Sequence, residues 1–153
     1  MIKVYSGQSL FEVLFSVAIA SILLIGVVSL AATSVRNTSF SLNNALATEF
    51  AQEGSEWIRQ YRDADWDEFK SHSSGGAGSN WCINSLPYPP PAWGLPSSCG
   101  TATITGTIFT RDINLTDDAI NAGLVEVTIS VNWTDSQGVH TVRSISKLAD
   151  WNR

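Results

Sequence analysis

Residues Val13 to Val35, VLFSVAIASILLIGVVSLAATSV, form 23 consecutive positions without a charge. A hydrocarbon layer ~30 Å thick is crossed by roughly 20 helical residues at 1.5 Å each, so the run is long enough to span a membrane. It also explains the composition, since only 15% of the 153 residues are charged where ~25% is usual. Lys3 lies on the short N-terminal side and Arg36 closes the far end. Beyond Val35 there are eight Lys/Arg against thirteen Asp/Glu. A short basic end stays in the cytoplasm and an acidic remainder crosses, which predicts a single-pass orientation with the N-terminus in the cytoplasm and the C-terminal part outside. The net charge of −5 argues against nucleic-acid binding through a broad basic surface.

A secretory signal peptide places its small-residue cleavage site after the apolar stretch. Here the small pair Ser6-Gly7 comes before it. A cut between Gly7 and Gln8 would retain the apolar segment, and Glu12 would then stand fifth from the new terminus. An ionised carboxylate in a membrane span costs several kcal/mol unless it is paired, so Glu12 is a functional candidate on physical grounds alone. A place in the first helical turn would favour it through the helix dipole. A buried cation would do more, and the freshly cut α-amino group of Gln8 on a neighbouring subunit would be one. Such a pair fixes the axial register of packed helices, because a mismatch strands two charges in hydrocarbon. The bland alternative is an acid that snorkels to the bilayer edge.

Gly7-Gln8-Ser9-Leu10-Phe11-Glu12-Val13 followed by an apolar run resembles the processing site of the type IV pilin superfamily, which includes major pilins, minor pilins and type II secretion pseudopilins. The looser stretch ALATEFAQEGSEWIRQYRDADW, Ala45 to Trp66, is similar to a segment of minor-pilin-like proteins. The resemblance implies cleavage after Gly7 and N-methylation by a prepilin peptidase. It also implies partnership with other pilin or pseudopilin subunits, an assembly ATPase and a membrane platform protein, and a place in a cell-surface filament. Two features depart from the family pattern. Phe or Met usually occupies the first mature position, where this chain has Gln8, which can cyclise. No Pro precedes Pro87, so Gly26, between Ser21 and Ser29, is the expected soft point of the helix.

Past Arg36 the pattern turns amphipathic. Leu42, Leu46, Phe50, Trp57 and Tyr61 share a helical face that includes Gly54, and Glu49, Glu53, Glu56, Arg59 and Arg62 fall largely elsewhere. A helix from about Ser9 to Arg62 would measure ~80 Å. It exits through Asp63-Ala64-Asp65-Trp66-Asp67-Glu68. A calcium loop would need Gly at its sixth position and Glu at its twelfth, where Glu68 and Ser74 stand, so a solvated acidic exit is the expectation and no metal site is assigned.

Ser71 to Gly100 reads as loop, with a Gly/Ser stretch and Pro89-Pro90-Pro91. Cys82 and Cys99 are a candidate disulfide, worth ~3 kcal/mol by the loop-closure argument; free thiols or bridges to other subunits are the alternatives. Trp81, Tyr88 and Trp93 either face a partner or plug the loop onto the sheet, and plugging is preferred. Thr101 to Asn114, Leu124 to Trp133 and Val139 to Leu148 read as strands, with a tight turn at Thr134 to Gly138. The organisation expected is therefore a leader (1–7), a transmembrane and assembly helix (8–36), its amphipathic continuation (37–70), and a loop plus antiparallel sheet (71–153). The fold class is α+β, a long N-terminal helix packed on a small antiparallel sheet, and the resemblance implies the same pilin-like architecture.

His72 and His140 stand apart from any Cys or carboxylate spacing that defines a triad or zinc site, and no phosphate loop or dinucleotide fingerprint is present. No catalytic residue, metal or cofactor is assigned, and an enzyme is not expected. The function expected is a structural subunit, a minor pilin or pseudopilin. The rival reading is a monomeric membrane-anchored binding module or adhesin.

Overall fold

The computed structural model describes residues 8–86, 93, 95–118, 120 and 123–151. The elements run α1 (Gln8–Ala64), α2 (Trp66–Ser71), β1 (Ser79–Cys82), β2 (Thr110–Asp117), β3 (Leu124–Asp135) and β4 (Gly138–Ala149). The chain divides into two compact units, Met1–Leu42 and Asn43–Arg153.

The first unit is helical from Gln8 and contains the segment long and apolar enough to cross a membrane. Its large side chains are exposed along the whole stretch from Leu10 to Leu42. Three of the hydroxyls that interrupt the apolar run are turned back on the helix: Ser16 donates to the Val13 carbonyl, Ser21 to Val17 and Thr33 to Ser29, at 2.8–3.0 Å. Each therefore carries its own acceptor, which lowers the cost of placing it in hydrocarbon. Helix α1 passes through Gly26 without a break.

The second unit is α+β. Residues 43–64 of α1 cover one face of a four-stranded antiparallel sheet of order β1-β2-β3-β4. Strand β3 supplies the middle of the core: Val125, Val127, Ile129, Val131 and Trp133 are all buried, as their strict alternation predicts. Ile113 and Leu115 of β2 lie beside them, and Ala47, Ala51, Ile58 and Tyr61 press on them from the helix. Small residues carry much of this contact, so the helix sits close to the sheet. At Gly54 an added Cβ would lie 3.2 Å from Arg111 Cδ and 3.3 Å from Ile129 Cδ1.

Four local expectations are corrected. Leu42 is exposed and does not join the buried face, which is carried by Ala47, Ala51, Gly54, Ile58 and Tyr61. The acidic exit is solvated as expected, with Asp63, Asp65, Asp67 and Glu68 exposed and α1 stopping at Ala64, but Asp65 also caps a second helix by accepting from the Glu68 backbone N–H at 2.9 Å. That second helix buries Phe69, so the continuation expected to Lys70 is broken at Asp65. The stretch read as loop contains β1, registered Ser79 to Leu115 through Cys82 to Asp112. Finally, 101–109 is turn rather than strand. Gly106 takes φ +76°, and Ile104 N–H returns to the Phe109 carbonyl at 2.7 Å, so the β-branched alternation there belongs to a hairpin-like loop and β2 starts at Thr110.

Gly54→Leu is expected to lower the unfolding free energy of the second unit by about 1–3 kcal/mol, because neither Ile129 nor the bonded Arg111 can withdraw without loss. Guanidinium unfolding of the full chain in detergent, followed by tryptophan fluorescence, measures it.

Candidate functional site

Of the residues singled out in the sequence, Gly7 lies outside the described residues and Gln8 is the first residue of α1. Glu12 is on the exposed surface of the apolar unit among Phe11, Phe15, Ser16 and Ile19. Because the helix starts at Gln8, its first turn holds no acid and Glu12 falls beyond it. The helix dipole fades within the first turn, so it contributes little there. A carboxylate among phenylalanine rings and aliphatic side chains needs a partner once those side chains are in lipid or against other helices.

In the second unit Cys82 and Cys99 are bonded, with Cα atoms 4.6 Å apart. The cystine ties the end of β1 to the loop returning toward β2. That loop is pinned again where Asp112 accepts from the Cys99 backbone N–H at 2.6 Å. Inside it, Trp93 packs into an aromatic nest, its ring centroid 4.5 Å from His72, 4.9 Å from Trp81, 5.4 Å from Tyr61 and 5.8 Å from Trp57. Trp81 is buried and its indole N–H donates to the His72 carbonyl at 3.1 Å. Both tryptophans therefore plug the loop against the helix and sheet; Tyr88, the third aromatic of that expectation, lies outside the described residues. Burial, with the nearby Glu68 carboxylate acting next, pushes the Tyr61 phenol above its ordinary value.

Arg111 is the residue the sequence reading passed over. Its side chain is 3% exposed, on the core face near the start of β2. Nε donates to the Ile83 carbonyl at 3.0 Å; Nη1 donates to the Phe50 carbonyl at 2.9 Å and to Glu53 Oε2 at 3.2 Å. One guanidinium thus joins α1, β2 and the end of the β1 segment. Burial pulls its pKa below the ordinary value, and the Glu53 carboxylate works against that pull. The signal was present: Arg111-x-Ile113-x-Leu115 alternates in the core phase, so a charge there demanded partners.

The remaining ionic contacts are at the surface. His140 Nε2 lies 2.9 Å from Asp135 at the β3–β4 turn, and its ring stacks on Trp133 at 5.0 Å. Lys147 pairs with Asp118 at 3.0 Å, which raises the pKa of the ammonium. A cleft of about 290 Å³ at the end of α1 is lined by Arg62, Asp63, Trp66, Asp150 and Trp151, with the Arg62 guanidinium 5.7 Å over the Trp151 ring. Among the described residues, no three His, Cys, Asp or Glu side chains converge as metal ligands would.

Arg111→Met is expected to cost about 1–3 kcal/mol, since it leaves the Ile83 carbonyl without its donor, while the Phe50 carbonyl keeps its helical bond and the half-exposed Glu53 turns to water. Glu53→Gln, at a half-exposed partner, is expected to cost less than about 1 kcal/mol. Urea unfolding of the full chain in detergent separates the two. The His140 hydrogen bond, followed by the Gln137 backbone N–H, holds the Asp135 carboxyl below the usual range. A folded-state value below the unfolded one stabilises above the ordinary carboxylate pKa of about 3.9, and that contribution is lost as pH falls through the folded value. His140→Gln is therefore expected to move the Asp135 carboxyl titration, followed by ¹³C NMR, upward. No family model, curated protein or solved structure matches the chain.

Proposed function

We propose that this chain is a filament-forming structural subunit of the type IV pilin kind, a minor pilin or type II secretion pseudopilin, anchored by its N-terminal helix in the bacterial cytoplasmic membrane and cut after Gly7. The observation that carries this reading is the spacing of Gly7-Gln8 and Glu12 at the head of a 23-residue uncharged run. The helical state of that run from Gln8, with its side chains exposed, supports it. The large apolar side chains from Leu10 to Val35 are exposed among the described residues, and a bilayer or a bundle of identical helices would cover them equally well.

The mechanism is mechanical. The subunit waits in the membrane with its N-terminus in the cytoplasm, the prepilin peptidase trims it, and the platform protein and assembly ATPase draw it into a growing filament. Transfer from lipid to a helix bundle changes little in apolar burial, so register must come from polar groups. Glu12 supplies one side of that register. The α-amino group of Gln8 on the neighbouring subunit supplies the other, and a stagger that separates them leaves both charges unpaired.

The mass of the N-terminal peptide from native membranes and sheared surface fibres tests the reading. A terminus at Gln8 with one added methyl is the expected result. Cyclised Gln8 would keep the assignment and remove the amine from the Glu12 pairing. An intact Met1 would overturn the processing, and with it the assignment, in favour of a monomeric anchored binding module. Glu12→Ala is expected to abolish recovery of the subunit in fibres while its membrane insertion stays unchanged; undiminished assembly would remove the register role.

A further inference from the structure

Strand β4 is the longest edge of the sheet, 12 residues from Gly138 to Ala149, and among the described residues it has a strand neighbour on the β3 side only. The phase of the ladder follows from one bond. Asp118 N–H donates to the Leu124 carbonyl at 3.0 Å, so the even-numbered residues of β3 direct their backbone toward β2 and the odd-numbered ones toward β4. The odd residues of β3 pair with even residues of β4, for example Val131 with Val142 and Ile129 with Ser144. Val139, Thr141, Arg143, Ile145 and Lys147 therefore aim both backbone groups away from the sheet, and among the described residues none of those groups has a protein partner.

This edge lacks most of the devices that close an edge. It has no Pro, it is long, and Val139 and Ile145 are 72% and 63% exposed. Lys147 is occupied by Asp118 and Glu126, but Arg143 has no ion pair among the described residues. The outer surface of β4 thus reads apolar, neutral, cationic, apolar at Val139, Thr141, Arg143 and Ile145.

We propose that the free edge of β4 takes an added strand from another polypeptide, an extended segment with a carboxylate opposite Arg143 and apolar side chains opposite Val139 and Ile145. The inference goes beyond the assembly role of the N-terminal helix and rests on the second unit alone. A second copy fits less well in either arrangement. A two-fold pairing of β4 with β4, Val139 against Ile145, brings the two Arg143 guanidinium groups to diagonal positions with no carboxylate between them. A translated copy would present β1, whose four residues Ser79–Cys82 are too few for five outward positions and include no acid. Main-chain bonds would supply the affinity and Arg143 the choice of partner.

The test uses the full chain in detergent micelles and a short synthetic peptide of alternating threonines in which Ile, Glu and Val are spaced to oppose Ile145, Arg143 and Val139. Amide hydrogen exchange read residue by residue is expected to slow by at least about tenfold at Val139, Thr141, Arg143, Ile145 and Lys147, a change of about 1.4 kcal/mol in local opening. Even-numbered amides, already bonded to β3, should change little. Replacing the peptide Glu by Lys is expected to weaken binding several-fold. Thr141→Pro removes one outward N–H while keeping Arg143, a substitution that edge strands tolerate, and is expected to abolish protection with the even-numbered amides still slow. Absence of protection, equal binding of the Lys peptide, or equal binding by the Thr141→Pro variant would overturn the proposal. Protection that appears without peptide and grows with protein concentration would overturn it too, by making a second copy the occupant.

Discussion

The buried guanidinium of Arg111 is the contact on which the second unit is built. A charge on the core face of a strand is tolerable only if every direction it points in offers an acceptor, and here the acceptors come from distant parts of the chain: the Phe50 carbonyl in α1, the Ile83 carbonyl after β1, and the Glu53 carboxylate. Satisfying that one group fixes where the helix crosses the sheet. It also favours Gly54, since the guanidinium stem and Ile129 would have to give way even to a single added Cβ on the helix at that level. The Phe50 carbonyl sits inside a continuous helix, where accepting a second donor does not break the ladder, so the lock costs the helix nothing in its own bonds.

Around that lock the sheet closes in layers. The cystine holds the loop after β1 near β2, and the Trp93 ring it carries fills the space between Trp57, Tyr61, His72 and Trp81. Arg111 and the aromatic nest act at different levels along the helix, near Phe50 and Glu53 for the first and Trp57 and Tyr61 for the second. Between them, Ser55 donates within the helix to the Ala51 carbonyl and lies 3.2 Å from Ser144 Oγ of β4. Residues 43–64 are thereby joined to the second and fourth strands by polar contacts, to the third by close aliphatic packing, and to the first through Trp93, which packs between the helix and Trp81.

How much of this was legible depended on whether the information was local. The strict alternation of Val125 to Trp133 announces a half-buried strand because its period is set by the backbone itself, and the uncharged run announces a helix long and apolar enough to cross a membrane because its length alone carries the signal. Reading the helix face by its largest residues was less sound. Leu42 fits the spacing but is exposed, while Ala47, Ala51 and Gly54, poor markers of hydrophobicity, carry the close approach. The failure at 101–109 has a different cause: β-branched residues favour extended backbone, but a glycine at positive φ and one cross-turn hydrogen bond redirect the chain without altering the apolar pattern. Asp65 was hidden in plain composition. Four acids in six residues look like solvated charge, and only the position of Glu68 three residues on marks the first of a cap pair. Arg111 needed partners from three segments, and no single-window pattern contains them.

The two units also divide their polar chemistry differently. In the apolar unit Ser16, Ser21 and Thr33 bond to their own helix, and Glu12 stands on the exposed surface among apolar side chains. In the second unit the core charge is locked internally and Lys147 is matched across the outer surface, which leaves Arg143 on an open edge. On the readings proposed above, each unit holds a charge whose partner lies on another molecule, opposite in sign and different in setting. A charge in hydrocarbon tolerates almost no misplacement, because the cost of an unpaired state is several kcal/mol, and so it suits the fixing of a single helical register. A charge at a wet edge forfeits far less when unpaired. It cannot define a register by itself, and the main-chain ladder beside it must do so while the charge only chooses among strands.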